Sequence, residues 1–267
     1  MNYRNMEVTV VKIGGNVIDN PDDLTLFLKK FAALPAANKI LIHGGGKLAT
    51  KLAAKLDVPT KMIDGRRVTD SQTIEIVTMV YAGLINKSIT AQLQSSGCDA
   101  VGFSGADAGI ITAVKRLPYP VDFGFVGDIP DDGVNSTRLT AFLNMGLVPV
   151  FCSITADKQG VLLNCNADTI AQSVATALSS AGARVKLIYC FEKQGLLADV
   201  NDDNSVIPLI TADNCEKLKA EGVISAGMLP KIDNAFKALN TGVEEVIVKS
   251  YLDLDDNDKG TRISRKS

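Results

Sequence analysis

The chain has 267 residues, a net charge of −2 at pH 7 and a pI near 5.5. That length can bury one large α/β domain or two lobes, and the acidic balance argues against a nucleic-acid binder, which needs a basic patch. Five cysteines without a Cys-x-x-Cys pair, and the single histidine His43, disfavour a disulfide framework and a soft-metal site. Most of the cysteines, at 98, 152, 165, 190 and 215, are expected as buried small hydrophobes. The first residues lack the apolar core of a signal peptide, and no apolar run approaches 18 residues. These features predict a soluble, reduced, cytoplasmic protein.

Residues 8–13 form a β-branched run that ends in Gly14-Gly15, the pattern of a central parallel strand. Lys12 falls on the face of Val8 and Val10, where it either meets an anion or snorkels from the strand end. A helix is predicted over 22–34, a strand over 39–42, then His43-Gly44-Gly45-Gly46 and a helix over 47–56. Strand, glycine turn and helix recurring in this way mark a sheet covered by helices, with ligands beyond the carboxyl ends of its strands. Glycine lets backbone N–H groups approach a phosphate or carboxylate, and a helix N-terminus adds partial positive charge. Neither glycine turn has the spacing of a P-loop or of the dinucleotide fingerprint. The His-Gly-Gly-Gly string lacks the Gly-x-Ser-x-Gly elbow of an esterase, since the nearest string reads Gly102-Phe-Ser-Gly-Ala106.

Arg67, before a long helix predicted over 71–94, can grip a carboxylate through its planar fork, or lie as a surface arginine in a turn. A short strand is expected over 100–103. Two further strands, 110–114 and 123–129, should form a hairpin excursion around Leu117-Pro-Tyr-Pro120. A helix over 135–145 precedes a strand over 147–151, whose Pro149 weakens that assignment. The stretch Leu162-Leu-Asn-Cys-Asn-Ala-Asp168 then enters a helix that ends near Gly182, with Asn166 suited to the N-cap and Asp168 to the first turn. Asn164 lies outside that helix, and an amide aimed into the inter-strand crevice would explain it. A second βα series follows, with strands over 186–189 and 244–248 and helices over 212–221 and 230–239. Lys231 is placed in a first helical turn, the wrong end of the helix dipole for a cation, unless an anion shares the site. The charged run at 253–266 reads as a solvated tail.

Together these stretches resemble the amino-acid-kinase family across nearly the whole chain. The resemblance rests on Lys12-Ile-Gly-Gly-Asn16, His43-Gly-Gly-Gly46, Arg67-Val-Thr-Asp70, Asn164-x-Asn-Ala-Asp168 and Gly227-Met-x-x-Lys231, supported by Gly124-Phe-Val-Gly-Asp128 and Gly260-Thr-Arg-Ile263. The Arg-Val-Thr and Asn-x-Asn-Ala-Asp strings favour its acylglutamate branch. The resemblance implies a three-layer αβα sandwich with an open, mainly parallel sheet in two lobes. Residues 1–182 would bind the acylamino acid and dimerise; residues 183–267 would bind ATP.

The implied reaction is ATP-dependent phosphorylation of the γ-carboxylate of an N-acyl-L-glutamate in arginine biosynthesis. N-acetyl-L-glutamate is the leading substrate and N-succinyl-L-glutamate the alternative; another acid, carbamate, or a non-catalytic regulatory role rank behind. By the resemblance, Lys12 and Lys231 would stabilise the transferring phosphoryl group and Asp168 would hold both lysines. Gly44, Gly45, Arg67 and Asn164 would bind the substrate. Gly14, Gly15, Glu192, Lys193, Gln194, Gly195, Leu196, Leu197, Val223, Ile224 and Ser225 would line the ATP site. Magnesium would be held mainly through nucleotide phosphates, with no metal ligand set in the chain. The nucleotide turn departs from the family's Thr/Ser-Asp-Val-x-Gly, reading Phe191-Glu-Lys-Gln-Gly195, and Ala106 stands where a polar residue is common. A first strand beginning near residue 7 leaves no room for the extra N-terminal helix of arginine-inhibited hexamers, which implies an arginine-insensitive homodimer.

Overall fold

Strand β1 (Glu7–Ile13) is buried on both faces from Val10 onward, as its unbroken apolar run requires. Helices α1 (Gly15–Asp19) and α2 (Pro21–Ala33) return the chain to β2 (Asn38–His43), which pairs parallel to β1. The structure, a computed structural model, describes residues 6–63, 65–199, 201–224 and 228–265. After α3 (Gly46–Lys55) comes a small ribbon, β3 (Met62–Ile63) and β4 (Arg66–Arg67). A helical run follows as α4 (Ser71–Thr78), a π segment (Met79–Ile85) and α5 (Asn86–Ser95). Then come β5 (Ala100–Phe103), the hairpin β6 (Val114–Lys115) and β7 (Gly127–Asp128), α6 (Ser136–Asn144) and β8 (Val148–Phe151). A second hairpin, β9 (Ile154–Ala156) and β10 (Leu162–Asn164), feeds α7 (Ala167–Ser180). The chain closes through β11 (Arg184–Phe191), β12 (Leu209–Thr211), α8 (Ala212–Ala220), α9 (Leu229–Asn240), β13 (Glu245–Ser250) and β14 (Thr261–Ser264).

Eight strands form one open sheet in the order β12-β14-β13-β11-β1-β2-β8-β5, antiparallel only between β13 and β14. Alternation along the strands divides the core. Val8, Val10, Ile40 and Ile42 pack against α6, α7 and α9, whereas Val11, Ile13 and Leu41 pack against α1 to α5. This is the expected αβα sandwich. Strand β1 lies where the order reverses, with β2 on one side and β11 on the other. The crevice beyond its carboxyl end is therefore the place for a ligand.

Several expectations change. The helix predicted over 71–94 contains the π segment, which rotates Tyr81 and Ile85 onto the loop after β2. The hairpin around Leu117 keeps only two residues in each strand, because its tip is exposed and has no sheet to pair with. Pro149 is accommodated because Val148 N donates to β5, at Asp99 O, while pairing with β2 begins only at Val150; the missing donor faces no ladder. Strands β9, β12 and β14 carry too few apolar residues to stand out. The predicted solvated tail is corrected most clearly: Thr261–Ser264 forms β14 inside the sheet, with Ile263 buried. All five cysteines are free and buried, as expected for most of them.

Candidate active site

Three loops meet at the carboxyl ends of β11, β1 and β2. Lys12, near the end of β1, points to the α7 side of the sheet, as its shared face with Val8 and Val10 requires. Asn166 caps α7 by accepting from Asp168 N (2.7 Å) and Thr169 N (3.2 Å), which fixes Asp168 in the first turn. Its Oδ1 lies 2.7 Å from Lys12 Nζ and its Oδ2 2.8 Å from Lys231 Nζ. Tyr189 on β11, opposite Lys12 in register, donates its hydroxyl to Asp168 O (3.3 Å).

Burial alone would push the Asp168 carboxyl up. The ammonium groups of Lys12 and Lys231 outweigh it and bring the group down to about 2. The apparent mismatch of Lys231 with its helix dipole is thus offset by Asp168. Two ammonium groups against one carboxylate leave a net positive charge in a half-closed crevice, reinforced by the N-terminus of α7. Such a site suits an anion that gains charge as it reacts.

On the β2 side, Gly44 and Gly45 open α3. Gly45 has φ 152°, a conformation that favours glycine, and a Cβ there would displace the Ile85 Cδ1 methyl. His43 is fully buried. Its Nδ1 lies 2.9 Å from Gly44 O, which can only accept, so Nδ1 carries the proton; Nε2 accepts from Asn86 Nδ2 (3.1 Å). Asn86 sits at the end of the π segment and also donates to Val150 O (2.9 Å). Burial lowers the His43 pKa to about 4, against the Gly44 hydrogen bond, which raises it.

The unfolded imidazole therefore binds a proton that the folded one refuses. Stability should be intact above pH 6.5 and fall by about 3 kcal/mol as pH drops toward 4. Urea unfolding at pH 7 and 4.5 checks this, and His43→Gln should flatten the slope; an unchanged slope would assign the loss elsewhere.

A cavity of about 180 Å³ beside these loops is lined by Gly44, Gly45, Arg67, Tyr81, Arg116 and Asn164, among others. Arg67 is buried, and its Nη2 donates to Gly46 O and Thr50 Oγ1, each at 2.8 Å. Asn164 Nδ2 donates to Thr69 Oγ1 (3.1 Å), and Thr69 in turn donates to Arg67 O (3.0 Å), so the two residues are braced together. The four residues expected to hold substrate share one wall.

On the other side, Gly14 N donates to Cys190 O (2.8 Å), and a Cβ on Gly14 would press on Phe191, while Gly15 is open. Glu192 accepts from Asn16 Nδ2 (2.6 Å), and Asn16 Oδ1 accepts from Lys47 Nζ (2.6 Å), a chain that ties together the loops after β11, β1 and β2. Lys193 turns outward to Asp203 (2.8 Å), and Gln194 is exposed. Gly195 packs on Thr261, whose Oγ1 accepts from Leu196 N (2.8 Å), and Leu197 bridges to Val206. The side chains of Leu196 and Ile224 are in the core, which leaves them only backbone to offer a ligand; Val223 N donates to Leu218 O (3.0 Å). Ser225 and Gly227 lie outside the described residues. Tyr81, Arg116 and Asn86 carried no signal in the sequence, since the π segment and the hairpin bring them in.

Residues 7–250 match the amino acid kinase family. Acetylglutamate kinase from Cytophaga hutchinsonii is 52% identical over 240 residues, covering 90% of this chain and 89% of that protein. Acetylglutamate kinase from Bacteroides thetaiotaomicron is 48% identical over 259 residues, covering 97% and 99%. The crystal structure of smu.665 from Streptococcus mutans superposes with a TM-score of 0.76 at 28% identity, covering 96% of this chain and 98% of that one.

Proposed function

The chain belongs to the amino acid kinase family, and we propose that it transfers the γ-phosphoryl group of ATP to the γ-carboxylate of N-acetyl-L-glutamate, a step of arginine biosynthesis. The observation that carries this reading is Asp168 held between Lys12 and Lys231 at the reversal point of the sheet, next to the small cavity. In this reading Gly44 and Gly45 present N–H groups to the γ-carboxylate, and Arg67 and Asn164 hold the α-carboxylate. Residues 1–182 take the acylamino acid. Residues 183–267 take the nucleotide, through the turn 192–197 and the segment 223–225, with Gly14 and Gly15 over its phosphates.

The γ-carboxylate has a pKa of about 4.3 in water and is ionised at neutral pH, so no general base is required. A neutral, buried His43 fits that requirement and serves to orient the Gly44 carbonyl. The carboxylate oxygen attacks the γ-phosphorus in line, the bond to the β–γ bridging oxygen breaks, and ADP leaves with the electron pair. Lys12 and Lys231 meet the charge on the equatorial oxygens. Both Asp168 oxygens are occupied by ammonium groups, so Mg²⁺ would be carried on the nucleotide phosphates with its own waters, neutralising their charge.

Among the described residues no helix is long and apolar enough to cross a membrane. Five free, buried cysteines agree with a reducing cytoplasm. A homodimer is supported by Met79, exposed on the π segment beside the apolar wall of Phe125 and Leu162, and by Leu84, exposed on the same segment. Sedimentation should read two chains, and a hexamer would argue otherwise.

The reaction is tested with MgATP and N-acetyl-L-glutamate in the presence of hydroxylamine, which converts an acyl phosphate to a hydroxamate. Hydroxamate equal to the ADP released is the expected result. ADP release without hydroxamate would remove the carboxylate acceptor.

A further inference from the structure

The small cavity does not end at the acyl end of the site. It adjoins a second cavity of about 450 Å³ under the exposed hairpin, lined by Leu117, Tyr119, Pro120, Val121 and Phe123, with one carboxylate, Asp128, which is paired with Arg116. Arg66 and Arg116 line both cavities and so stand at their junction. Arg116 is held from one side only. Its Nε donates to Asp128 Oδ2 (3.0 Å), its Nη2 pairs with Asp128 Oδ1, and its guanidinium lies over the Phe123 ring, 5.6 Å from the centroid. Nη1 is buried and has no hydrogen-bond partner among the described residues.

A buried guanidinium nitrogen with two unused N–H donors is unfavourable, and a ligand oxygen would relieve it. Three arginines line the small cavity, Arg66, Arg67 and Arg116, and none of the described residues lining it is acidic. N-acetyl-L-glutamate brings two carboxylates. In the reading above, one lies at the lysines and one on Arg67. Nothing on that substrate answers Arg66 and Arg116, and a methyl group would leave the second cavity unfilled.

We propose that Arg66 and Arg116 form an anion-binding recess for the far end of the acyl group, so that the preferred substrates are N-acylglutamates whose acyl chain ends in a carboxylate, as in N-succinyl-L-glutamate. The apolar wall of Leu117 and Phe123 takes the methylene stem, and the free Nη1 of Arg116, with the exposed Arg66 guanidinium, takes the terminal charge. This inference rests on the proposed phosphotransfer and changes only the acyl group.

The test compares kcat/KM for N-acetyl-, N-butanoyl- and N-succinyl-L-glutamate. Butanoyl matches succinyl in carbon number and lacks its charge, which separates length from charge. Succinyl should exceed butanoyl by roughly tenfold or more, because the recess would reject the analogue that leaves its donors unpaired. Arg116→Gln and Arg66→Gln should each bring that ratio toward one. Arg66 is exposed, so its variant keeps the test open if Arg116→Gln folds poorly. Calorimetric binding of the butanoyl and succinyl acids reads the same ratio without catalysis. Equal handling of the two acids, or a preference that survives both substitutions, would overturn the recess and leave phosphotransfer to N-acetyl-L-glutamate standing. Preferential binding of the succinyl acid without turnover of any of the three would support the recess and overturn the proposed reaction.

Discussion

Lys12→Ala is expected to lower kcat at least about 100-fold, and Lys231→Ala to do the same or somewhat less. In the proposed reaction each lysine supplies a preorganised positive charge to oxygens that gain negative charge during transfer, and removing one such donor typically lowers kcat by about 10²–10³-fold. The order follows from burial. The Lys12 side chain is 10% exposed and that of Lys231 is 21%, so water screens the second more. The effect should fall on kcat more than on the KM for the acylglutamate, because the proposed α-carboxylate contacts, Arg67 and Asn164, line the small cavity and the lysines do not. Single-turnover kinetics with saturating MgATP measures it. Near-normal turnover in either variant would sink the assignment of that lysine.

Asp168→Asn is expected to damage stability as well as rate. It removes the carboxylate that pairs with the buried Lys12 and the half-buried Lys231, and breaking a buried pair from one side destabilises by about 3–5 kcal/mol. For a chain of this size that lowers Tm by roughly 6–15 °C.

The wild-type chain carries the complementary signature in acid. The Asp168 pKa is about 2 when folded and 3.8 otherwise, so its contribution is present above pH 4 and is lost as pH falls toward 2. That contribution is about 2 kcal/mol, and it should be missing from Asp168→Asn. Most of the His43 loss has occurred by pH 4, so the loss between pH 4 and 2 is mainly that of Asp168. Chemical denaturation of both proteins across pH 2–10 tests these points. A variant as stable as the parent at pH 7 would show that the lysines find other partners.

The sequence by itself determined whatever depends on neighbours within a few residues. A β-branched run ending in two glycines became β1 and its turn. Asn166 became the N-cap that places Asp168 in the first turn, because the side-chain oxygen reaches N–H groups only two and three positions on. Alternation alone put Lys12 on the face of Val8 and Val10, which is the face that α7 covers.

Only the tertiary structure decided what depends on which strands become neighbours. Parallel pairing of β1 with β11 and β2 brings the turns at 14, 44 and 192 to one edge, and no local pattern states that order. Asp168 meets Lys231 across 63 residues because α7 and α9 cover the same face of the sheet. The π segment, which aims Tyr81 at Gly45, and the inner strand Thr261–Ser264, which looked like a charged tail, follow from the same cause. Their stabilising contacts are supplied by distant elements, so their own residues carry no period from which to read them.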